Sequence, residues 1–585
     1  MFYTLGRIEP GGLINVTTKK PLDIPYYSLE QQFGSYDSYR TQWDATGAIT
    51  DDKSLLYRFT GSYQNNESFR DFIFTDRVLV NPSLTWRPTD RTDITLSVEH
   101  SDQDYQADVG VPAIGTRPAA IPISRSLDDP NSPIDNSTHT LVSTEMNHHF
   151  NDAWAIHNRF LAGFTDTYSA FITRSPTVNG PGEDGLGPDG ILRRNIFGQT
   201  TDGESYATNL DLTGKFRLGF SNHDVLVGFD YYHAMNTYVT SGEYILPNPA
   251  LDIDIFNPAP SYGIDPALIQ STLSRNMAYS FFKTDWYGAY FQDHITLWDK
   301  LHILGGGRYD WSTTGRGRGA SSGAAEAVLP SNKDEGFSPR VGILYQPWTQ
   351  LGIYGNWTTS FSANNAPAAN GATFDPQTGE QFEAGVKTQL FDDRLIATLA
   401  YYHLTKDNIL VNDQRTPDPF DKIANKQRSQ GIELDVTGQI TDRLSLIGSY
   451  AYTDAKVIED HVGSTAGNRM PNVPDHSGSL FVKYDMNGYE AQEGFSFGVG
   501  GVAAGQRQTD FDNTSQLPGF IRVDAFAAYR MKVGPTRVTT QFNIRNLLDK
   551  TYYESSDPNA NAARPYLAIA PGAPLTAVGS IRIEF

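Results

Sequence analysis

The sequence predicts an all-β chain that forms a transmembrane antiparallel β-barrel of about 22 strands, with short periplasmic turns and long extracellular loops. Three observations predict this fold class. Apolar and polar residues alternate along most of the chain, tight polar turns alternate with long connections, and the last residues form an alternating strand that ends on Phe585. Repeated alternation of this kind, separated by turn residues, is typical of outer-membrane barrels.

Composition excludes several other classes. The 585 residues contain no apolar run long enough for a transmembrane helix. The 31 Tyr and 32 Phe suit aromatic girdles, and the 52 Gly and 33 Pro suit many turns. The absence of Cys is compatible with an oxidising compartment. A net charge of -21 argues against a nucleic-acid partner, because phosphates require a basic surface.

The connections separate into two kinds by length, as expected for a barrel whose hairpins have one tight end and one elaborate end. The short polar turns are 50–53, 88–91, 151–153, 298–300, 391–394, 441–443 and 533–535. The long candidate loops, which we expect to face outward from the cell, are 106–136, 171–203, 241–276, 314–334, 363–377, 412–426, 458–474 and 550–572.

Individual strands show which residues face water. In 520–531 the residues at odd positions, such as Ile521, alternate with Arg522 and Asp524, and 537–546 repeats this division. A barrel of about 22 strands with polar inward-facing residues has a lumen wide enough to need a plug.

Several segments resemble, in order and spacing, the motifs of TonB-dependent ferric-siderophore receptors of the bacterial outer membrane. Residues 6–21 resemble the end of the plug domain in that family. The similar barrel segments are 288–293, 305–310, 338–342, 375–387, 473–476 and 543–553. The resemblance covers essentially the whole chain. Its terminal strand is similar to the signal that the barrel-assembly machinery recognises, with Ile581, Ile583 and Phe585 as the signal residues.

The resemblance implies two domains, a C-terminal remnant of the plug at 1–22 and a transmembrane barrel at 23–585. It implies an outer-membrane receptor and transporter for ferric siderophores, energised through the TonB complex in a full-length form only. Residues 1–5 do not read as a secretory signal, so we expect an incomplete chain that lacks most of the plug. Alone, it is expected to form an open, unenergised barrel that conducts ions in planar bilayers.

A ferric siderophore is a large chelate, so aromatic side chains near the outer mouth suit it, backed by hydrogen-bonding or cationic groups. The alternative for each candidate is a girdle residue at the membrane interface, which is the commoner role of Tyr and Trp at strand ends. The candidates are Tyr168, Phe171, Arg174, Tyr238, Tyr244, Tyr279, Phe281, Trp311, Trp357, Phe361 and Tyr553.

Other sites are not supported by the sequence. The acidic, glycine-rich stretch 179–190 lacks the spacing of an EF-hand. His148 and His149 are adjacent, so on a strand they point to opposite faces and are poor co-ligands. We therefore expect no metal site, no catalytic residues and no enzymatic activity. No cofactor is expected either, since iron arrives as a chelate.

Some alternatives stay open. The same fold takes up haem, cobalamin or other large ligands in related receptors, and a passive outer-membrane pore would use the polar lumen directly. The expected partners are the ferric siderophore, outer-membrane lipid and the barrel-assembly machinery, and the family resemblance implies a monomer.

Overall fold

The computed structural model describes residues 16–174, 186–187, 190–242, 249–327, 331–364, 374–412, 422–460, 465–489, 491–557 and 568–585. Within these, 22 strands form one antiparallel sheet. They are β1 (Tyr26–Gly34), β2 (Ser38–Ala48), β3 (Leu55–Glu67), β4 (Phe74–Thr89), β5 (Thr92–Tyr105), β6 (Asp135–His149), β7 (Trp154–Arg174), β8 (Arg194–Leu218), β9 (Ser221–Gly242), β10 (Ala278–Leu297), β11 (Leu301–Gly319), β12 (Ser331–Trp348), β13 (Leu351–Ser362), β14 (Gln377–Leu390), β15 (Leu395–Asn412), β16 (Lys422–Gln439), β17 (Leu444–Asp460), β18 (His476–Asp485), β19 (Gly494–Ala504), β20 (Phe520–Val533), β21 (Thr536–Arg545) and β22 (Thr576–Glu584).

The sheet closes on itself, because β22 pairs with both β21 and β1. Ser28 lies opposite Glu584, and the backbone N–H of Phe585 donates to the carbonyl of Tyr27 at 2.9 Å. Closure leaves no free sheet edge, which a strand in lipid requires. The predicted fold class, an antiparallel barrel of about 22 strands, is therefore confirmed.

Alternation assigns the two faces as the sequence predicted. Ile521 is 64% exposed and Phe542 is 50% exposed on the outward face, whereas Arg522 and Gln541 belong to the opposite, inward face. Phe585 is also exposed to the outside. Since successive side chains of a strand point to opposite faces, a lipid-facing apolar surface and a polar lumen arise from the same strands.

The tight turns have the backbone that two-stranded hairpins require. Trp298 and Asp299 have φ of 52° and 55°, and Phe391, Asp392 and Asp393 have φ of 53°, 56° and 64°. Positive φ values match the twist of flanking strands in short hairpin connections. These turns lie at the predicted positions 298–300 and 391–394.

The extracellular side differs from the prediction at several positions. Residues 171–174 and 194–203 belong to β7 and β8 rather than to a loop, and β11 and β12 extend into the predicted loop 314–334. These strand extensions lie beyond the lipid, and those of β7 and β8 are covered by the extracellular connections, so they lack the apolar alternation that marks a strand in lipid. Conversely, 505–519 is a long connection that the turn signals did not reveal.

Short elements decorate the extracellular connections. The helices are α1 (Pro266–Leu273) and α2 (Ser322–Ala327), with 3₁₀ turns at Pro249–Leu251 and Ala259–Ser261. Two-stranded pairs join Ala113–Ile114 with Arg117–Pro118, Ile191–Leu192 with Ile253–Asp254, Arg507–Gln508 with Gln516–Leu517, and Tyr553–Ser555 with Ala570–Pro571. No helix in the described part of the chain is both long and apolar enough to span a bilayer.

Candidate functional site: the outer mouth and the inner wall

Extracellular connections pack together into one hydrophobic core, which we call the outer lobe. It joins the connections β5–β6, β7–β8, β9–β10, β19–β20 and β21–β22, so it links distant parts of the barrel rim. Because apolar side chains from separate loops bury one another here, each loop is stabilised by the others. The core residues are Val111, Ala113, Ala119, Ile121, Leu127, Leu192, Ile253, Ile255, Leu517 and Ile569.

Buried arginines cross-link the loops of the outer lobe through backbone carbonyls. Arg194, only 1% exposed, donates from Nε to the carbonyl of Leu251 at 2.6 Å and from Nη1 to that of Leu127 at 3.1 Å. Arg507 donates to the carbonyls of Tyr553 and Glu554, both at 2.6 Å. A guanidinium offers several fixed donors, so one side chain satisfies carbonyls from different loops.

Two buried carboxylates tie the β5–β6 connection to β7. Asp135, at the extracellular end of β6, accepts the backbone N–H of Ala170 at 2.7 Å and of Ala107 at 3.1 Å. Burial, which disfavours the charged carboxylate, raises the pKa of Asp135 to about 6. Asp128 accepts the N–H of Ile172 at 3.2 Å, and burial raises its pKa as well.

The inner wall of β8–β11 carries a charged and aromatic network, which we call the wall cluster. Arg308 contacts Asp230, with Nη2 to Oδ1 at 2.9 Å, and donates from Nε to Asp310 at 2.8 Å. The indole N–H of Trp286 donates to the same carboxylate at 2.7 Å, and Tyr290 OH donates to Asp211 at 2.5 Å. Opposite charges and ring donors thus connect four neighbouring strands on the lumen side.

A glycine makes room for this network. A Cβ at Gly288 would lie 1.8 Å from Nη2 of Arg308, so the guanidinium occupies the space that any larger residue would fill. The sequence analysis missed the wall cluster as a group. The sequence nevertheless contained a signal for this cluster. Tyr290, Arg308 and Asp310 lie in the motif segments 288–293 and 305–310, at positions where alternation predicts inward-facing side chains.

The described N-terminal residues are attached to the lumen side of β2 and β3. Lys19 Nζ lies 2.9 Å from a carboxylate oxygen of Asp44, which also accepts from Arg58 at 2.6 and 2.8 Å. The N–H of Leu22 donates to Thr46 Oγ1 at 2.9 Å, and Lys20 pairs with a carboxylate on β6. The segment just before β1 therefore runs along the inside of the barrel.

Several predicted ligand-binding residues lie on the inner wall or in the outer lobe. Tyr238 shares a face of β9 with Asp230, and its ring lies 5.3 Å from that of Phe282 in an edge-on arrangement. The ring of Phe361 is buried 5.6 Å from Trp286 of the wall cluster. Tyr553 packs against the core of the outer lobe.

Other predicted residues point elsewhere. Trp311 is 43% exposed on the outward face, 4.7 Å from the ring of Tyr309. Trp357 pairs across strands with the exposed Val341, and its indole N–H donates to Glu380 at 2.9 Å. Both tryptophans thus lie on the side that faces away from the lumen. This position favours the girdle role that the sequence analysis gave as the alternative.

The remaining candidates are placed as follows. Tyr168 packs beside α1 in a second buried apolar cluster, and Tyr279 and Phe281 share the face of β10 that carries the exposed Phe291. Phe171 and Arg174 pair through their backbones with β8, while their side chains and all of Tyr244 lie outside the described residues. A ligand-binding role stays a prediction for the whole set.

The described residues contain no group of three or more His, Asp or Glu side chains placed to hold a metal ion. His148 Nδ1 lies 2.8 Å from Thr92 Oγ1, and the His149 ring stacks edge-on with His157 at 6.3 Å. The two adjacent histidines therefore have separate partners, as their positions on an alternating strand predicted.

Comparison with known proteins identifies the family. The family described as TonB dependent receptor-like, beta-barrel matches residues 83–547. The metal-pseudopaline receptor CntO of Pseudomonas aeruginosa is 32% identical over 99% of this chain and 78% of its own length. The ferrichrome outer membrane transporter/phage receptor of Escherichia coli is 26% identical over 94% of this chain and 74% of its own length.

A solved structure shows the same fold. The siderophore receptor PiuA from Acinetobacter baumannii superposes with a TM-score of 0.81 at 20% identity, covering 97% of this chain and 82% of that one. A closed 22-stranded barrel with this family match indicates an outer-membrane location. The chain belongs to the TonB-dependent receptor family of the bacterial outer membrane.

Proposed function

We propose that this chain forms the barrel of a receptor that imports a metal chelate, with a ferric siderophore as the first candidate ligand. The observation that carries the proposal is the match to the metal-pseudopaline receptor over nearly the whole chain. Related proteins named for ferrichrome and ferrioxamine B support a siderophore-like ligand. The relatives' names differ in the chelate and in the metal. The titration must therefore determine which metal this receptor takes.

The geometry supports a ligand that enters from outside and passes along a polar wall. The outer lobe joins loops from distant parts of the mouth, and the wall cluster lies on the lumen side of β8–β11. Half-buried aromatic rings beside a charged group, such as Tyr238 and Phe282 near Arg316 on the inner wall, suit a large chelate with both apolar and polar surfaces.

The proposed partners follow from the family. The TonB complex supplies energy to the full-length receptor, outer-membrane lipid surrounds the barrel, and the barrel-assembly machinery reads Ile581, Ile583 and Phe585. We propose a monomer that carries no cofactor and performs no catalysis, with the metal entering only as part of the chelate. The relatives are transport receptors, which supports a non-enzymatic role.

Titration of the receptor produced from its complete gene tests the ligand class. Ferric hydroxamates, ferric catecholates, zinc and nickel chelates of carboxylate metallophores, haem and cobalamin are added while tryptophan fluorescence is followed. We expect saturable quenching by at least one metal chelate and none by haem or cobalamin. Quenching by haem or cobalamin alone would replace the proposed ligand class, and no response to any ligand would favour the passive pore.

A pair of variants on one strand tests whether the inner wall contacts the ligand. Tyr238→Ala removes a ring from the lumen side of β9, whereas Tyr231→Ala removes a ring from its outward side, where Tyr231 lies 4.8 Å from Tyr287. We expect roughly tenfold weaker binding for the first variant and binding within about twofold for the second. Equal effects of the two substitutions would contradict the proposed contact between the inner wall and the ligand.

A further inference from the structure

The barrel wall splits on its extracellular side between β12 and β13. Residues 331–345 of β12 pair with β11, whereas β13 pairs with β12 only between Arg340 and Trp348. No strand in the described part of the chain pairs with the other edge of residues 331–339. Unpaired backbone N–H and C=O groups are not tolerated in lipid, so this edge lies in water, above the apolar band. A free edge of this kind is a template for an added strand.

The backbone groups of the odd-numbered residues of β12 point to the open side. The N–H of Gln346 donates to the carbonyl of Lys300, which lies on the β11 side, so the even-numbered residues point that way. Pro339 is odd-numbered and has no N–H to offer β13. Its carbonyl accepts the hydroxyl of Thr359 at 3.2 Å, which closes the lower end of the split. The proline therefore explains why the ladder stops at Arg340.

A glycine and a phenylalanine keep the two strands apart above this point. Gly336 faces the lumen, and a Cβ there would lie 2.6 Å from the ring of Phe361. The end of β13 therefore leans across the inner face of β12 instead of meeting its edge. At the top of the split, the side chain of Asn332 donates to the carbonyl of Asn364 at 3.0 Å. Between these two ends, residues 333–338 form an open edge roughly 20 Å long.

A groove of about 510 Å³ lies along the outward side of the open edge. Glu335 and the exposed Phe337 project into it from β12, and its other charged residues are Glu380, Asp407 and Lys426. The Nζ of Lys426 lies 3.1 Å from a carboxylate oxygen of Asp407, so these two charges compensate each other. The two glutamates leave the groove negatively charged. A partner that fits it must therefore supply positive charge.

We propose that the open edge of β12 binds an extended, positively charged peptide segment from the extracellular side, which adds an antiparallel strand with its basic side chains over Glu335 and Glu380. The proposal goes beyond chelate import and does not rest on it. In an antiparallel pair, opposite residues that exchange both hydrogen bonds have their side chains on the same face. Peptide residues that bond to the backbone of Glu335 and Phe337 therefore turn their side chains outward, towards the carboxylates. The main-chain bonds give affinity, and the alternating side chains give specificity.

Fluorescence anisotropy of labelled peptides with the purified receptor tests the pairing. The probe is an eight-residue peptide of alternating Lys and Thr, compared with forms N-methylated either on every Lys or on every Thr. Methylation removes the donors along one edge of the peptide and leaves its charge unchanged, so it separates strand pairing from general attraction to an acidic protein. We expect the lysine-methylated form to bind at least roughly tenfold more weakly than the parent, and the threonine-methylated form to bind within about twofold.

A pair of charge reversals tests the position of the site. Glu335→Lys reverses a charge in the groove, whereas Glu204→Lys reverses an outward-facing charge on β8, where the cross-strand neighbour Phe164 is exposed. We expect roughly tenfold weaker binding of the parent peptide for the first variant and binding within about twofold for the second. Heat-modifiable migration in gels checks that both barrels are folded. Equal binding of the two methylated peptides, or equal effects of the two charge reversals, would overturn the proposal.

Discussion

Replacing Arg194 by Met is expected to loosen the outer lobe without unfolding the barrel. The native guanidinium is buried and makes two strong hydrogen bonds, to the carbonyls of Leu251 and Leu127. Each bond from a charged donor contributes about 1.5–3 kcal/mol, and removing the donor leaves buried carbonyls unsatisfied. Burial disfavours the charged guanidinium and lowers the pKa of Arg194, so a desolvation cost offsets part of the gain from these bonds.

Setting that cost against the two bonds leaves about 3 kcal/mol of local stability lost in Arg194→Met, or roughly a hundredfold increase in loop opening. Hydrogen exchange measured by mass spectrometry over peptides 106–134 and 249–264 reports this opening. Arg217→Met is the matched control, since Arg217 is exposed at the periplasmic end of the same strand. Unchanged exchange in Arg194→Met, or equal exchange in the two variants, would refute the view that this arginine holds the lobe together.

Three further outcomes are expected. The folded-state pKa of Asp135 is about 6, above the ordinary value of 3.8, so the loop stability that it governs is greatest at low pH and falls as pH rises through 6. After correction for intrinsic exchange rates, protection of the Ala170 amide should be roughly tenfold higher at about pH 5 than at about pH 7. The opposite trend would contradict the assignment of this pKa. Phe585→Ala should reduce the amount of barrel assembled in the outer membrane. Because this side chain is exposed, the melting temperature of the assembled fraction should be unchanged. A lower melting temperature with normal assembly would indicate a structural role instead. Brominated lipid should quench the fluorescence of a variant that retains only Trp311. It should not quench a variant that retains only Trp286, since Trp286 is 6% exposed on the lumen side. The reverse result would mean that the two faces of the barrel are assigned the wrong way round.

The barrel itself was predictable from the sequence because its physical cause is local. A strand between lipid and water must alternate, and Ile521, Arg522 and Phe542 take the sides that alternation predicts. The tight turns at 298–300 and 391–394 were readable for a similar reason, since short polar connections between alternating segments mark hairpins.

The mouth was less predictable because it depends on contacts between distant segments. The core that joins Leu127, Ile255 and Leu517 forms only when three separate connections meet, so no local sequence pattern predicts it. Trp311 illustrates a different difficulty. Its aromatic character fits either a ligand site or a girdle, and only its shared outward face with Tyr309 and Phe337 distinguishes them.

The strand extensions above the membrane were predicted as loops because their environment removes the signal. Residues 194–203 of β8 are covered by the extracellular connections, with Ile196 buried against Leu251 and Ile269, so the lipid-and-water environment that imposes alternation is absent there. The same reasoning applies to the upper parts of β11 and β12. The lengths of the predicted loops 171–203 and 314–334, read from polarity alone, are therefore overestimates.

Energised uptake of a metal chelate is the central claim, and uptake of radiolabelled metal tests it most directly. The receptor is expressed from its complete gene in a bacterial strain that lacks its own outer-membrane siderophore receptors, with and without functional TonB. The ⁵⁵Fe, ⁶³Ni or ⁶⁵Zn complex of the chelate that binds in titration is supplied. The account predicts saturable accumulation that requires both the receptor and TonB. Accumulation that is unsaturable and equal without TonB would show a passive pore and contradict the account.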